Sequence, residues 1–136
     1  MRKRTEAREY ALQQLYKYDI TAEPVKVLDL FWVEDKEVEA PVNDFALQLV
    51  SGAIKHLKQI DKKISGFAAN WELKRMAAVD RNVLRLGAFE LLYLDDIPAK
   101  VSINEAVDLA KKYSGEEAGK FVNGILDSIK KDCGKA

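Results

Sequence analysis

Histidine and cysteine, the side chains that most often bind metals or act as nucleophiles, each occur once in this chain of 136 residues. His56 lies in a helical pattern next to lysines, with no second histidine or cysteine at the spacing that a zinc site requires. We therefore interpret it as a partly exposed helix residue. Cys133 lies in a charged tail, where nothing in the sequence organises a base to activate a thiol. Neither residue predicts a catalytic or metal centre.

A glycine-containing stretch at residues 115–120 superficially resembles a phosphate-binding loop. That loop requires four residues between its glycines, a serine or threonine after its lysine, and a preceding strand. Here three residues separate Gly115 from Gly119, phenylalanine follows Lys120, and no strand pattern precedes them. Carboxylates are plentiful, but no pair stands out as desolvated, and adjacency alone does not indicate acid–base chemistry. We expect no enzyme activity, no metal and no cofactor.

The net charge of zero hides an uneven distribution along the chain. Residues 1–17 contain five basic and two acidic side chains, whereas residues 23–44 contain seven acids and two lysines. This asymmetry indicates either different partners for different faces or a merely solvated surface. The chain starts with a polar helical pattern, has one cysteine, and has no apolar run near the ~20 residues of a membrane span. We therefore expect a cytoplasmic protein.

Apolar residues recur at helical spacing along the chain, and no segment shows the alternation of a strand. The sequence predicts a single all-α domain over residues 1–136, with six or seven helices. The predicted segments are an opening helix that ends near residues 19–21, a short helix from Pro24, a loop at 34–40, one long helix from Val42 to Ile64 that ends near Gly66, a turn at 70–76, a helix from Val79 to Tyr93 that Pro98 closes, and two helices that start at Ser102 and Ser114.

Two details of these helices concern charged side chains. Ser102 and Ser114 each stand three residues before a glutamate, Glu105 and Glu117, which is the spacing of a capping box. In the opening helix the apolar spacing leaves Arg4 and Arg8 one turn apart, on the predicted polar side.

Four sequence blocks resemble those of the NusB family and follow one another in the family's order. They are Arg8-Glu9 with Ala11-Leu12-Gln13 and Leu15-Tyr16; Asp80-Arg81 with Val83-Leu84-Arg85-Leu86 and Glu90-Leu91; Pro98 and Val101 with Ile103-Asn104-Glu105-Ala106-Val107 and Leu109-Ala110-Lys111; and Lys120-Phe121-Val122-Asn123-Gly124-Ile125-Leu126-Asp127. Together they span most of the chain, although residues 20–44 contain no such block.

This resemblance implies two small helical bundles packed together, with an N-terminal subdomain of about residues 1–66 and a C-terminal subdomain of about 67–136. It also implies a transcription antitermination factor that pairs with NusE, a small-subunit ribosomal protein. The pair would bind the boxA element of nascent RNA in ribosomal RNA operons, within an elongation complex that contains other Nus factors.

The resemblance and the residue chemistry together give a set of candidate RNA contacts. They are Arg2, Lys3, Arg4, Arg8, Gln13, Glu105, Glu117, Lys120, Phe121 and Asn123. The arginines suit phosphate because their planar fork can hold two oxygens. Cations are disfavoured near a helix N-terminus, so a purely structural role does not explain why they are placed there. Phe121 either stacks on a base or packs against a neighbouring helix, and Asn123 either reads a base edge or caps a backbone group.

For the protein partner, the resemblance points to the face around Asp80 and Arg81, and to Tyr93. A structural explanation for Asp80 also exists, because an acid is favoured in the first turn of a helix. The alternative to an RNA-binding adaptor is a helical scaffold that binds only proteins, or a homodimer, in which the arginines are ordinary surface residues.

Overall fold

The fold is described by a computed structural model, which covers residues 3–22, 39–68 and 72–135. The elements in these ranges are α1 (Lys3–Thr21), α2 (Ala40–Lys55), α3 (Leu57–Phe67), a 3-10 turn (Leu73–Arg75), α4 (Ala78–Tyr93), α5 (Ala99–Tyr113) and α6 (Glu116–Cys133). No strand occurs in the described ranges, so the predicted all-α fold is confirmed. No helix within them is long and apolar enough to cross a membrane.

Helix α4 is the centre of the fold, and it packs against each of the other five helices that the described ranges contain. Every residue from 82 to 91 is buried, because this stretch is apolar around most of the helix rather than along one stripe. Gly87 allows α5 and α6 to approach closely. A Cβ atom added there would lie 2.6 Å from the Leu126 side chain and 3.3 Å from that of Ala106.

The helices around α4 also pack against one another. Helix α1 packs on α2, α5 packs on α6, and α3 lies against α6 and α4. Helix α1 runs antiparallel to α4, since Arg8 meets Glu90 near the end of α4 and Asp19 meets Arg81 near its start. The start of α1 therefore lies beside the C-terminal end of the central helix.

The predicted long helix from Val42 to Ile64 is wrong, because the chain breaks at His56 into α2 and α3. The backbone of His56 is not helical (φ −106°, ψ 20°), and its ring stacks on Tyr93 with 4.0 Å between centroids. Tertiary packing against α4 thus overrides a continuous apolar stripe. Gly66 does not end the helix in a left-handed conformation as predicted, since α3 continues to Phe67.

Both predicted capping boxes are also wrong. Helix α5 begins at Ala99, directly after Pro98, so Pro98 opens this helix instead of closing the preceding region. Ser102 therefore lies inside the helix, where it is buried. Ser114 follows the end of α5, and Gly115, with a positive φ of 111°, precedes α6. The sequence located these helices but misplaced their starts.

Some predictions lie wholly or partly outside the described residues: the contact by Arg2, the helix from Pro24, the loop at residues 34–40 and the turn at 70–76. Of that turn, the described part contains the 3-10 turn. The division into subdomains near residue 66 stays a prediction.

Candidate nucleic-acid interface

Arg8 lies at the centre of a buried ionic cluster, contrary to the prediction that it lies on the polar side of α1. Its side chain is 3% exposed. Its Nε and Nη2 atoms donate to the two carboxylate oxygens of Glu90 at 2.8 Å each, and Nη1 donates to Glu105 Oε1 at 2.8 Å. Burial alone would lower the pKa of Arg8, but the hydrogen bonds and charge of Glu90, followed by those of Glu105, raise it overall.

Two hydroxyl groups complete this cluster. Ser102 donates to Glu90 Oε1 at 2.8 Å, and Thr5 donates to Glu105 Oε1 at 2.6 Å. The cluster therefore joins α1, α4 and α5. Glu105 accepts hydrogen bonds within this cluster and does not act as the partner in a capping box. Since Arg8 already contacts two carboxylates and is hardly accessible to solvent, we assign it to the fold rather than to phosphate.

The remaining described cations of the N-terminal segment lie on the surface. Arg4 is 54% exposed, its guanidinium carbon lies 4.5 Å from the Phe45 ring centroid, and its nearest acid is Asp96 at 3.9 Å. Lys3 is 61% exposed and pairs with Glu39 at 2.9 Å, which raises the pKa of Lys3. Exposed pairs of this kind are weak because water and salt screen them, so phosphate can displace the acids. Lys3 and Arg4 therefore remain accessible to a polyanion.

An apolar groove lies farther along α1, toward the start of α4. It measures about 330 Å³ and is lined by Leu12, Gln13, Tyr16, Val79 and Tyr113. The Tyr16 and Tyr113 side chains are 41% and 45% exposed. Gln13 is nine residues from Arg4, about 13 Å along the helix. The groove thus brings Gln13 together with two exposed aromatic rings that the sequence interpretation did not select.

A second groove, of about 310 Å³, brings together three of the predicted residues, Asp80, Glu117 and Phe121. Phe121 is half-buried and packs against the core. Lys120 is 74% exposed and lies 3.5 Å from Glu117, and Asn123 is also exposed. The two grooves adjoin at the first turn of α4, where Val79 lines one and Asp80 lines the other.

The predicted partner residues are not brought together. Arg81 is 12% exposed, binds Asp19 through Nε at 2.8 Å, and donates through Nη1 to the carbonyls of Leu73 and Met76 at 3.0 Å each. It therefore holds the 3-10 turn against α1. Tyr93 lies thirteen residues from Asp80, about 20 Å away at the other end of α4. Of the three, Asp80 alone lies beside the grooves.

Asp19 is the acceptor of a second ionic network. It binds Arg81 and Asn82, and Arg85 lies 3.3 Å away and forms a two-point contact with Asp61 of α3 at 2.8 and 2.9 Å. Burial would raise the pKa of Asp19, but hydrogen bonds from Arg81 and Asn82 and the charge of Arg85 lower it overall. This network joins α1, α3 and α4. The sequence contains a signal for both networks, because charged residues such as Arg85 and Glu90 occur within an otherwise apolar helix.

The described residues contain no group of three histidine, cysteine, aspartate or glutamate side chains that could hold a metal ion. The buried arginines form ion pairs with carboxylates of the chain itself, while lysines, Arg4, Arg75 and several aromatic rings face solvent. The fold and this surface define an all-helical binding protein.

Comparison with known proteins gives the family. The NusB family model matches residues 5–131. Transcription antitermination protein NusB from Anaeromyxobacter dehalogenans is 51% identical over 128 residues, which are 93% of this chain and 89% of that protein. A solved structure of antitermination factors NusB and NusE in complex with dsRNA is 38% identical, with a TM-score of 0.88 over 97% of this chain and 98% of that one. NusB from T. maritima is 38% identical, with a TM-score of 0.86 over 95% and 91%. The chain belongs to the NusB family, and its function is transcription antitermination.

Proposed function

We propose that this chain is a non-catalytic adaptor that pairs with NusE and binds the boxA element of nascent ribosomal RNA transcripts. It would act in the cytoplasm, within an elongation complex that contains other Nus factors. The observation that carries the proposal is its similarity, over nearly the whole chain, to a NusB that was solved together with NusE and RNA.

The proposed RNA surface has two parts. One is the start of α1, where Lys3 and Arg4 are exposed and only weakly paired, with Arg2 preceding them in the sequence. The other is the start of α6, where the exposed Lys120 stands next to Phe121. A cation next to an aromatic ring suits single-stranded RNA, because the amine meets phosphate while a base stacks on the ring.

The proposed NusE surface is the apolar groove between α1 and α4. Exposed tyrosines around an apolar centre are typical of protein interfaces, and Tyr16 and Tyr113 border this groove. Asp80 adjoins it and is half-buried, with an enclosed Oδ1 atom that accepts no hydrogen bond from the described residues.

The proposal is tested by measuring boxA RNA affinity with and without NusE. Because the partner completes the RNA site, we expect tighter binding by the pair than by either protein alone, and weaker binding of a scrambled RNA of the same length. Tyr16→Asp should weaken the pairing with NusE. The nearby Tyr10 packs against the core, so Tyr10→Asp would perturb the fold and cannot serve as a control. Equal affinity with and without NusE would contradict a shared site.

A self-associating helical scaffold is the second candidate, since the same exposed tyrosines could contact another copy of the chain. Light scattering with and without RNA separates the two functions. A dimer that neither dissociates nor binds RNA would favour the scaffold.

A further inference from the structure

A second basic and aromatic surface lies where α2 meets α3, at the C-terminal end of α4. We call it the junction surface and define it by Lys55, His56, Lys58, Lys62 and Tyr93. The rings of His56 and Tyr93 are stacked, with 4.0 Å between centroids and 12° between planes. The Tyr93 side chain is 36% exposed. Apart from Tyr93, which the resemblance assigns to the partner face, this surface contains no residue of the proposed RNA or NusE sites.

The three lysines of the junction surface are exposed and have no ion-pair partner among the described residues. Asp61, the acid on the same helix as Lys58 and Lys62, is bound to Arg85. The acid that α6 presents to this helix, Asp132, is bound to Lys63 at 2.7 Å. Neither of these two carboxylates therefore neutralises the lysines of the junction surface.

Local helix energetics favour Lys55, which lies in the last turn of α2, but do not explain the two lysines of α3. Lys58 stands in the first turn of α3, where the helix dipole disfavours a cation. Lys58 and Lys62 are four residues apart, and like charges at that spacing repel each other. A local rule that is broken without structural compensation is typical of a functional surface.

We propose that the junction surface binds a stretch of single-stranded RNA that flanks the element held at the start of α1. The lysines would contact phosphates, and a base would extend the His56–Tyr93 stack. Sequence-tolerant binding of single strands uses this combination of cations and aromatic rings. The inference rests on the proposed RNA-binding function and adds a second site to it.

The two sites lie on the same end of the molecule, which supports a continuous path. Arg4 stacks over Phe45 near the start of α2, and α2 then runs ten residues, about 15 Å, to Lys55. Because Gly52 of α2 lies against Phe89 and His56 lies against Tyr93, this helix crosses the end of α4 toward the junction surface. A strand that leaves Arg4 along α2 therefore reaches the lysines.

The test measures the affinity of the complex with NusE for two kinds of RNA. One is boxA RNA alone, and the other is the same RNA with an unstructured oligouridine extension of about ten nucleotides at one end or the other. We expect wild type to bind one extended RNA more tightly, and the variant K55A/K58A to lose that gain while its affinity for the short RNA stays within twofold. The slope of log affinity against log salt for the extended RNA should become shallower by about 1.4, at about 0.7 per lost phosphate contact. The matched control K74A/K130A removes two lysines without described ion pairs elsewhere and should keep the gain.

Tyr93→Leu should reduce the affinity for the extended RNA by about fivefold or more, with the fold checked by thermal unfolding. The inference is wrong if no extension strengthens wild-type binding, or if the control pair loses the gain equally. It is also wrong if K55A/K58A weakens NusE binding instead, since the surface would then contact protein. If the wild-type complex does not bind the short RNA, the proposed function fails, and this inference fails with it.

Discussion

Replacement of Arg8 with methionine tests whether this residue supports the fold rather than contacting RNA. Methionine retains much of the aliphatic volume but leaves Glu90, whose side chain is 1% exposed, as a buried carboxylate with only the Ser102 hydroxyl as its described partner. Removing one partner of a buried ion pair costs about 3–5 kcal/mol. A domain of this size has about 5–15 kcal/mol of stability in total, so the loss is easily measured.

The assay is urea unfolding at neutral pH, with linear extrapolation to water. The double variant Arg8→Met/Glu90→Gln removes the unpaired charge and retains an amide for Ser102, so it should recover about 1–3 kcal/mol relative to Arg8→Met. Arg4→Met is the surface control, and its effect should stay within about 1 kcal/mol. A loss below about 1 kcal/mol for Arg8→Met, or no recovery in the double variant, would refute a stabilising buried pair.

Two further predictions concern packing and pH. Gly52→Ala should destabilise the protein by about 1–3 kcal/mol in the same urea assay, because the new Cβ would lie 2.2 Å from the Phe89 ring. The control Gly66→Ala should be neutral or stabilising, because no atom lies within 4 Å of its new Cβ. Equal effects of the two substitutions would contradict the close approach of α2 to α4. Because the pKa of Asp19 is lowered in the folded state, its ionised carboxylate stabilises the fold at pH values above 3.8, the ordinary pKa of this group. This contribution is lost as the pH falls through the lower pKa of the folded state. Asp19→Asn should therefore lower stability at pH 7 and flatten its decline in acid, and an unchanged decline in urea unfolding at low pH would argue against the contribution of Asp19.

The helical periodicity predicted most of the fold because apolar spacing in α1, α5 and α6 directly reflects which faces are buried. It failed where two helices meet end to end. The apolar stripe of α2 continues through His56 into α3, so only the contacts with Phe89 and Tyr93 reveal the break. The starts of α5 and α6 were misplaced because a serine–glutamate spacing is common, and here Ser102 and Glu105 serve the ionic cluster instead.

The candidate site was only partly predictable for a related reason. An arginine in the sequence looks the same whether it faces phosphate or a buried carboxylate. Arg8 and Arg81 have partners 82 and 62 residues away in the chain, so local spacing carries no information about them. The exposed Tyr16 and Tyr113 were missed because each looks like part of an ordinary amphipathic helix.

The central claim is that exposed cations at the start of α1 hold RNA while the buried arginine holds the fold. It is tested most directly by the salt dependence of boxA RNA affinity, measured for the complex with NusE. Relative to wild type, Lys3→Ala/Arg4→Ala should make the slope of log affinity against log salt shallower by about 1.4, while Arg8→Lys should leave the slope unchanged. A wild-type slope in the Lys3→Ala/Arg4→Ala variant, together with a shallower one in Arg8→Lys, would contradict the account.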